Sequence, residues 1–436
     1  MTELTQKQSR VLLSYAAAIF KPKSLIVPRS IGDIPKDKTL LRELRTGAGE
    51  TIYLTDHGLS NFERTVELID KCDYFEGKAE YSDIWGAWRK VVEGWLGRRE
   101  MPESANEVLD AVSSCLNLEM RSHNFLVPVS GAVLNKESSY QVGSMTILRD
   151  PVSWLESAGV SCNSSEITSL LKASGGRLWL LGSAYGTAKV ARRMFSEYAA
   201  LTIGLLAIAA ASKYEHGAAG FRISTGMTAE DALGRSAWMS WDETEKVLTT
   251  NYTFPRGQPF AVDAELSQDS DGMQMIQLAF SILDKAEKTE VEVAIGRAVY
   301  WFYDAHRDSA LVMRMVKYWS CVEAFFSLER ERITHSVSSG LASILTFGGF
   351  RFVDVDKYSE TKKNISQLYD LRSQAVHRGD HRHVTEENVA QFSQWVAWMI
   401  IEITSLSACG YTTLQQLKRE VDRLDSIALP TQDGRA

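Results

Sequence analysis

Beyond the loop Ser267–Gly272 (SQDSDG) the sequence offers the chain almost nothing except helices. Apolar residues there return every three or four positions. Val389, Phe392, Val396, Met399, Ile403 and Leu406 form one run, and Leu414, Leu417, Val421 and Leu424 form the next. That rhythm lays a single apolar stripe along a helix, whereas a half-buried strand needs strict alternation. Thr385, ahead of Glu386 and Glu387, and Thr413 are residue types whose hydroxyls cap helix starts. The pattern predicts helices over 273–288, 289–304, 309–332, 359–378, 385–408 and 413–427. They make 271–430 one all-α helical-bundle domain, followed by a tail at 431–436.

The chain upstream reads differently, and 436 residues exceed what one hydrophobic core usually serves. Residues 1–120 form a mostly helical region. Phe62, Val66, Leu68 and Ile69 share one helical face, and Trp85, Trp88, Val91, Val92 and Trp95 share another. A row of indoles at this spacing is a core face before it is a base-stacking platform. Residues 121–270 mix strands and helix. FLVPVSGAVL and SYQVGSMTIL flank the polar break NKES and predict a hairpin around it. GFRIS, LTTNYTF and FAVDAEL predict further strands, and a strongly apolar helix covers 187–213. Its apolar centre, Tyr198–Ala211, falls short of the roughly 20 residues of a bilayer span, so a buried core helix is expected. The fold class is therefore α+β.

Composition removes several function classes. A formal charge of -7 gives no global basicity, so any nucleic acid must be held in a local basic groove. Five scattered cysteines without a CxxC fit free thiols in a reducing compartment. The start MTELTQKQSR carries no apolar signal core, which predicts a cytoplasmic protein without a membrane partner. TGAGE (Thr46–Glu50) is not followed by GK[ST], and no GxGxxG, GxSxG or HExxH occurs.

Chemistry concentrates in NISQLYDLRSQAVHRGDHRH, Asn364–His383. Its apolar stripe runs Ile365, Leu368, Ala375 and Val376, and Arg372 stands where another aliphatic residue belongs. A guanidinium stays charged, so in such a seam it needs an anion or a functional cleft. His377 follows five residues later, roughly 140° around the helix, and Gly379 is placed to end it. The two side chains splay on one helix; they meet at a phosphate near its end or across a two-fold interface. Two plainer readings stand beside this one. Arg372 can be a structural ion pair with Glu323 or Asp370, and His377 a histidine favoured by a helix C-terminus. His377, Asp380, His381 and His383 also offer metal ligands, although flanking arginines disfavour a cation.

The spacing from Arg372 to His377 resembles the R-x(4-6)-H motif of HEPN domains, helical modules found in many bacterial ribonucleases. YWSCVEAFFSLERERIT (Tyr318–Thr334), with Glu323 in an aromatic frame, and LYDLRSQAVHRG (Leu368–Gly379) are similar to the Apea-like branch. The resemblance covers about residues 290–430 and implies an HEPN-like bundle that cleaves RNA as a homodimer, with no metal and no cofactor. It implies His377 as proton acceptor or donor, Arg372 as stabiliser of the phosphate, and Glu323 as the residue orienting them. Attack by a ribose 2′-OH excludes DNA as substrate. Ser373 stands where many active members carry Asn, Asp or His, and its hydroxyl can still bond a phosphate. Arg378, Lys317 and Arg382 supply the expected basic groove. Apea-like members are associated with toxins and anti-phage defence, so a phage-derived trigger acting through the N-terminal region is expected. A catalytically silent scaffold for dimerisation or for RNA or nucleotide binding is the alternative.

Overall fold

The computed structural model describes residues 4–37, 39–47, 49–72, 75–160, 177–213, 223–226, 236–241, 248–253, 259–327, 333–378 and 383–428, with Ser165, Ser169 and Leu171. The chain is α+β and mostly helical. It divides into two compact units, Met1–Phe125 with Ser183–Ser196, and Leu126–Gly182 with Glu197–Ala436. Apart from 121–125 and 183–196, which belong to the first unit, the mixed stretch falls in the same unit as the helices after residue 270.

In the first unit, helix α1 (Gln6–Ile19) opens on a reciprocal cap between Thr5 and Gln8. Strands β1 (Leu25–Ile26), β2 (Glu43–Arg45) and β3 (Thr51–Leu54) form an antiparallel sheet with β3 in the middle, and short helix α2 (Thr39–Arg42) precedes β2. Arg42 is buried, but Asp37, Asp56 and the Leu54 carbonyl satisfy it. Helices α3 (Asp56–Asp70), α4 (Tyr81–Arg98) and α5 (Ala105–Glu119) close the core around Phe62, Trp88, Val92, Trp95, Val112 and Leu116. Trp88 and Trp95 meet edge to face at 5.8 Å, so the indole row is core.

A five-stranded sheet in the order β6-β7-β8-β4-β9 is made of β4 (Arg121–Ser130), β6 (Ser139–Val142), β7 (Met145–Leu148), β8 (Leu178–Gly186) and β9 (Ser224–Thr225). The expected hairpin around NKES does not form. The second apolar run folds back on itself instead, pairing Val142 with Met145 across Gly143-Ser144. Gly143 has φ +57°, the left-handed backbone such a two-residue turn demands, and NKES has no glycine to supply it. β5 (Ala132–Val133) pairs in parallel with β12 (Phe260–Ala261), and β10 (Ser236–Trp241) with β11 (Leu248–Thr253) in antiparallel fashion. FAVDAEL keeps only its first two residues as strand. The rest is helix α8 (Val262–Leu266), because the buried Asp263 carboxylate accepts N–H groups from Asn135, Lys136, Glu137 and Ala264.

Helix α6 is Pro151–Ser157, and α7 runs Ala188–Lys213. At 26 residues α7 is long and apolar enough to cross a membrane, yet 72% of its apolar window is buried inside the protein. The bundle comprises α9 (Asp271–Asp284), α10 (Glu290–Arg307), α11 (Leu311–Phe326), α12 (Ile333–Phe347), α13 (Tyr358–Arg378), α14 (Glu386–Ala408) and α15 (Leu414–Ala428). Gly204 of α7 lies against α10; a Cβ there would stand 2.7 Å from the Val299 carbonyl oxygen. α11 ends at Phe326, where Ser327 has left helical backbone geometry, and residues 328–332 of the expected span lie outside the described residues. α12 was not among the expected helices. Its Ser- and Gly-rich start (HSVSSG) has weak helix propensity, and tertiary packing overrides it. Gly340 lets α12 close on α11: an added Cβ would meet the Phe326 ring at 2.5 Å. Cys72, Cys115, Cys321 and Cys409 form no disulfide among the described residues, and Cys162 lies outside them.

Candidate functional site

Two helices that run in the same direction bring the site together. On α11 and α13, Trp319 meets Tyr369 edge to face at 4.9 Å. One turn further along both, Glu323 Oε1 comes within 3.4 Å of Arg372 Nη2. The spacing is four residues on one helix and three on the other, so each pair shares a helix face. Trp319 is anchored in turn by Phe392 of α14 at 4.4 Å. The sequence left Asp370 and Glu323 both open as partners of Arg372; Glu323 is the one that meets it, and Asp370 is exposed.

Arg372 is held without being neutralised tightly. A separation of 3.4 Å exceeds the 2.7–2.9 Å of a strong charge-assisted hydrogen bond. The guanidinium carbon lies 5.5 Å from the centre of the Tyr369 ring, within cation–π range. Its Nε is buried and has no hydrogen-bond partner. The side chains of Arg372 and Glu323 keep 20% and 24% exposure, enough for a ligand to reach both. Burial, and next the adjacent Glu323 charge, push the Tyr369 hydroxyl above its ordinary range.

The other expected residues fall unevenly around this pair. Ser373 is half-buried and follows Arg372 on α13. His377 is exposed in the last turn of α13 and makes no hydrogen bond among the described residues. Five helical residues separate it from Arg372 by about 7.5 Å along the axis and 140° around it, so one protomer's helix does not point both at one atom. Arg378 ends α13, and its side chain, with Gly379, Asp380, His381 and Arg382, lies outside the described residues.

Lys317 is not brought to the pair. It precedes Glu323 by six residues, about 9 Å along α11 and well around it. There it contacts Asp304 at 2.8 Å and Asp308 at 2.7 Å. Burial pulls its ammonium down, but the two carboxylates outweigh that and hold it above its usual range. Its charge is spent inside the bundle, so it adds little to a basic groove.

Tyr369 and Trp319 are the site residues that sequence reasoning passed over. Their signal was an aromatic one turn before each charged residue, which reads as ordinary core. Among the described residues no three His, Cys, Asp or Glu side chains are grouped to hold a metal; of the His377, Asp380, His381 and His383 cluster only His377 and His383 are described. No known protein family, curated protein or solved structure matches the chain.

Proposed function

We propose that this protein is a metal-independent endoribonuclease of HEPN type, acting as a homodimer, with Arg372, His377 and Glu323 as its working residues. The observation that carries the reading is the Arg372 guanidinium, a cation in a packed seam whose buried Nε lacks an acceptor. Buried unsatisfied donors are rare, and an incoming phosphate oxygen supplies the missing partner. In the proposed reaction His377 takes the proton from the ribose 2′-OH. The resulting oxygen attacks phosphorus, the P–O5′ bond breaks to leave a 2′,3′-cyclic phosphate, and the departing 5′-oxygen takes a proton from solvent water, to which His377 returns its own. Arg372 balances the charge that develops on the phosphate, and Glu323 keeps the guanidinium aimed.

The splay between Arg372 and His377 favours a site completed across two copies. Exposed apolar side chains on α10 (Val293 37%, Tyr300 46%, Trp301 37%) and on α11 (Met313 44%) are of the kind a self-association surface uses. In this reading the N-terminal region restrains the nuclease until a phage-derived trigger releases it. A catalytically silent scaffold is the second reading, favoured by the lack of a hydrogen bond to orient His377 among the described residues.

The test is cleavage of total cellular RNA in excess EDTA by wild type beside His377→Ala, with and without infected-cell extract. Cutting by wild type alone supports the nuclease. Equal behaviour of the two proteins, extract included, overturns it in favour of the scaffold.

A further inference from the structure

The opposite end of α11 holds a buried cation that no role above accounts for. Arg314 is only 2% exposed, and its side chain makes no hydrogen bond or ion pair among the described residues. Nε and Nη2 are both sealed from solvent without an acceptor. A guanidinium stays charged, and burying one unpaired is among the costliest arrangements a folded chain can hold. Asp308, just ahead of the helix, is committed elsewhere. Its Oδ1 accepts the Ala310 N–H at 2.9 Å, and its Oδ2 accepts from the Lys317 ammonium at 2.7 Å. Burial pushes that carboxyl up; the Lys317 and Ala310 hydrogen bonds outweigh burial, and the Arg314 charge adds to the lowering through space. Arg314 precedes Glu323 by nine residues, about 13.5 Å along α11, so it stands apart from the Arg372 pair.

Helix geometry decides where the guanidinium lies. Cα–Cβ bonds tilt toward a helix's N-terminus, so a long side chain at the fourth position of α11 lies back over the first turn. That turn is itself unfinished. Its N-cap is Ala310, whose methyl accepts nothing, and among the described residues no side chain caps the helix. The first N–H groups of a helix have no partner within it, which leaves those of Leu311, Val312 and Met313 to a ligand or to water. Ser309, Ala310 and Met313 are exposed, so the turn is open to solvent while Arg314 beside it is buried.

We propose that Arg314 and the first turn of α11 form an oxyanion site that takes a phosphate group. The helix start contributes N–H groups and the positive end of the backbone dipole, and the guanidinium contributes paired donors. Donors arriving from two sides suit a tetrahedral group with three free oxygens better than a planar carboxylate. Asp308 opposes an anion here, and its contact with Lys317 offsets that charge.

The experiment uses the full-length chain as wild type, Arg314→Met, Arg314→Lys and Arg372→Ala. Equilibrium dialysis and thermal unfolding are run with inorganic phosphate, adenosine 5′-monophosphate, or sodium chloride at matched ionic strength. Phosphate at about ten times its Kd raises the wild-type Tm by about 3 °C over chloride, and Arg372→Ala keeps that shift. Arg314→Met preserves the apolar stem without the charge. In chloride it is at least as stable as wild type, and phosphate no longer moves its Tm. Arg314→Lys keeps the charge without the fork and binds phosphate about tenfold more weakly. A purely structural arginine gives another pattern, with Arg314→Met less stable in both salts and wild type indifferent to phosphate. Equal phosphate shifts in wild type and Arg314→Met, or a shift lost only in Arg372→Ala, overturn the proposal. So does wild type that retains no phosphate on dialysis, a result that needs no variant to fold. Tighter binding of adenosine 5′-monophosphate than of phosphate assigns the site to a phosphomonoester, and equal or weaker binding assigns it to free phosphate. None of these readouts depends on RNA cleavage.

Discussion

Substituting Gly340 by alanine tests how tightly α12 sets the position of α11. The added Cβ would stand 2.5 Å from Cγ, 2.7 Å from Cδ1 and 2.8 Å from Cδ2 of Phe326. Carbon atoms pack at about 3.5–4.0 Å, so the overlap is about 1 Å against the root of a ring rather than its tip. Phe326 is only 5% exposed, and its ring cannot swing away without leaving a void. Overpacking of this kind costs about 3 kcal/mol, from which alanine's better helix propensity recovers about 1 kcal/mol. A net loss of about 2 kcal/mol follows, a fall in Tm on the order of 4–8 °C. The matched control is Gly296→Ala on α10, where the new Cβ meets nothing nearer than Leu283 Cδ2 at 3.7 Å. That change gains up to about 1 kcal/mol. Thermal unfolding of both variants therefore moves in opposite directions. If Gly340→Ala is as stable as wild type, or both variants shift alike, the close approach of the two helices is refuted. Phe326 lies three residues beyond Glu323, so the same substitution also displaces Glu323 and lowers cleavage.

His377→Ala removes an exposed side chain and changes unfolding free energy by no more than about 0.5 kcal/mol while abolishing cleavage; the reverse pattern in chemical denaturation and RNA assays favours the silent scaffold. Arg372→Ala lowers the cleavage rate by about 100- to 1,000-fold, and a loss below about tenfold would falsify its charge-stabilising role. The Asp263 carboxyl is held down at about 2, because backbone N–H groups of Asn135, Lys136, Glu137 and Ala264 outweigh the opposing effect of burial. A depressed carboxylate stabilises the fold above its unfolded pKa of about 3.9, so wild type loses about 2 kcal/mol as pH falls from about 4 to 2. Asp263→Asn lacks that drop in urea titrations across the same window, and an identical pH slope would sink the assignment. Glu402 accepts the N–H groups of Gly349 and Phe350, at 2.8 and 2.7 Å. Glu402→Ala therefore costs at least about 2 kcal/mol, and Glu402→Gln measurably less since one acceptor remains; equal losses in urea unfolding contradict the clamp.

The helices after residue 270 were legible because each buries a stripe whose spacing is set by helical geometry alone. The observed spans Glu386–Ala408 and Tyr358–Arg378 end within a residue of the expected ones. α12 was not legible, since Ser336, Ser338, Ser339 and Gly340 look like a loop until a neighbouring helix requires small residues there. The hairpin was misplaced because NKES and Gly143-Ser144 both interrupt apolar runs, and only the glycine's positive φ distinguishes the tight turn. For the candidate site, Arg372 stood out as a charge in an apolar stripe, and Glu323 entered through the resemblance. Lys317 shows the limit of counting basic residues: its partners Asp304 and Asp308 come from the preceding helix and its connection, and no one-dimensional pattern pairs them. Tyr369 was hidden because burial and function ask for the same residue type.

The shared direction of α11 and α13 has an electrostatic consequence. α11 finishes one turn past Glu323 and turns its carbonyl-rich, partially negative end toward the ion pair, whereas α13 runs on six residues past Arg372. A helix end placed this way disfavours an anion where a helix start would favour one, and side-chain cations oppose that effect. In the proposed nuclease, affinity for RNA would then depend on how many arginines are assembled at one place, and pairing of two protomers would serve substrate capture as well as chemistry.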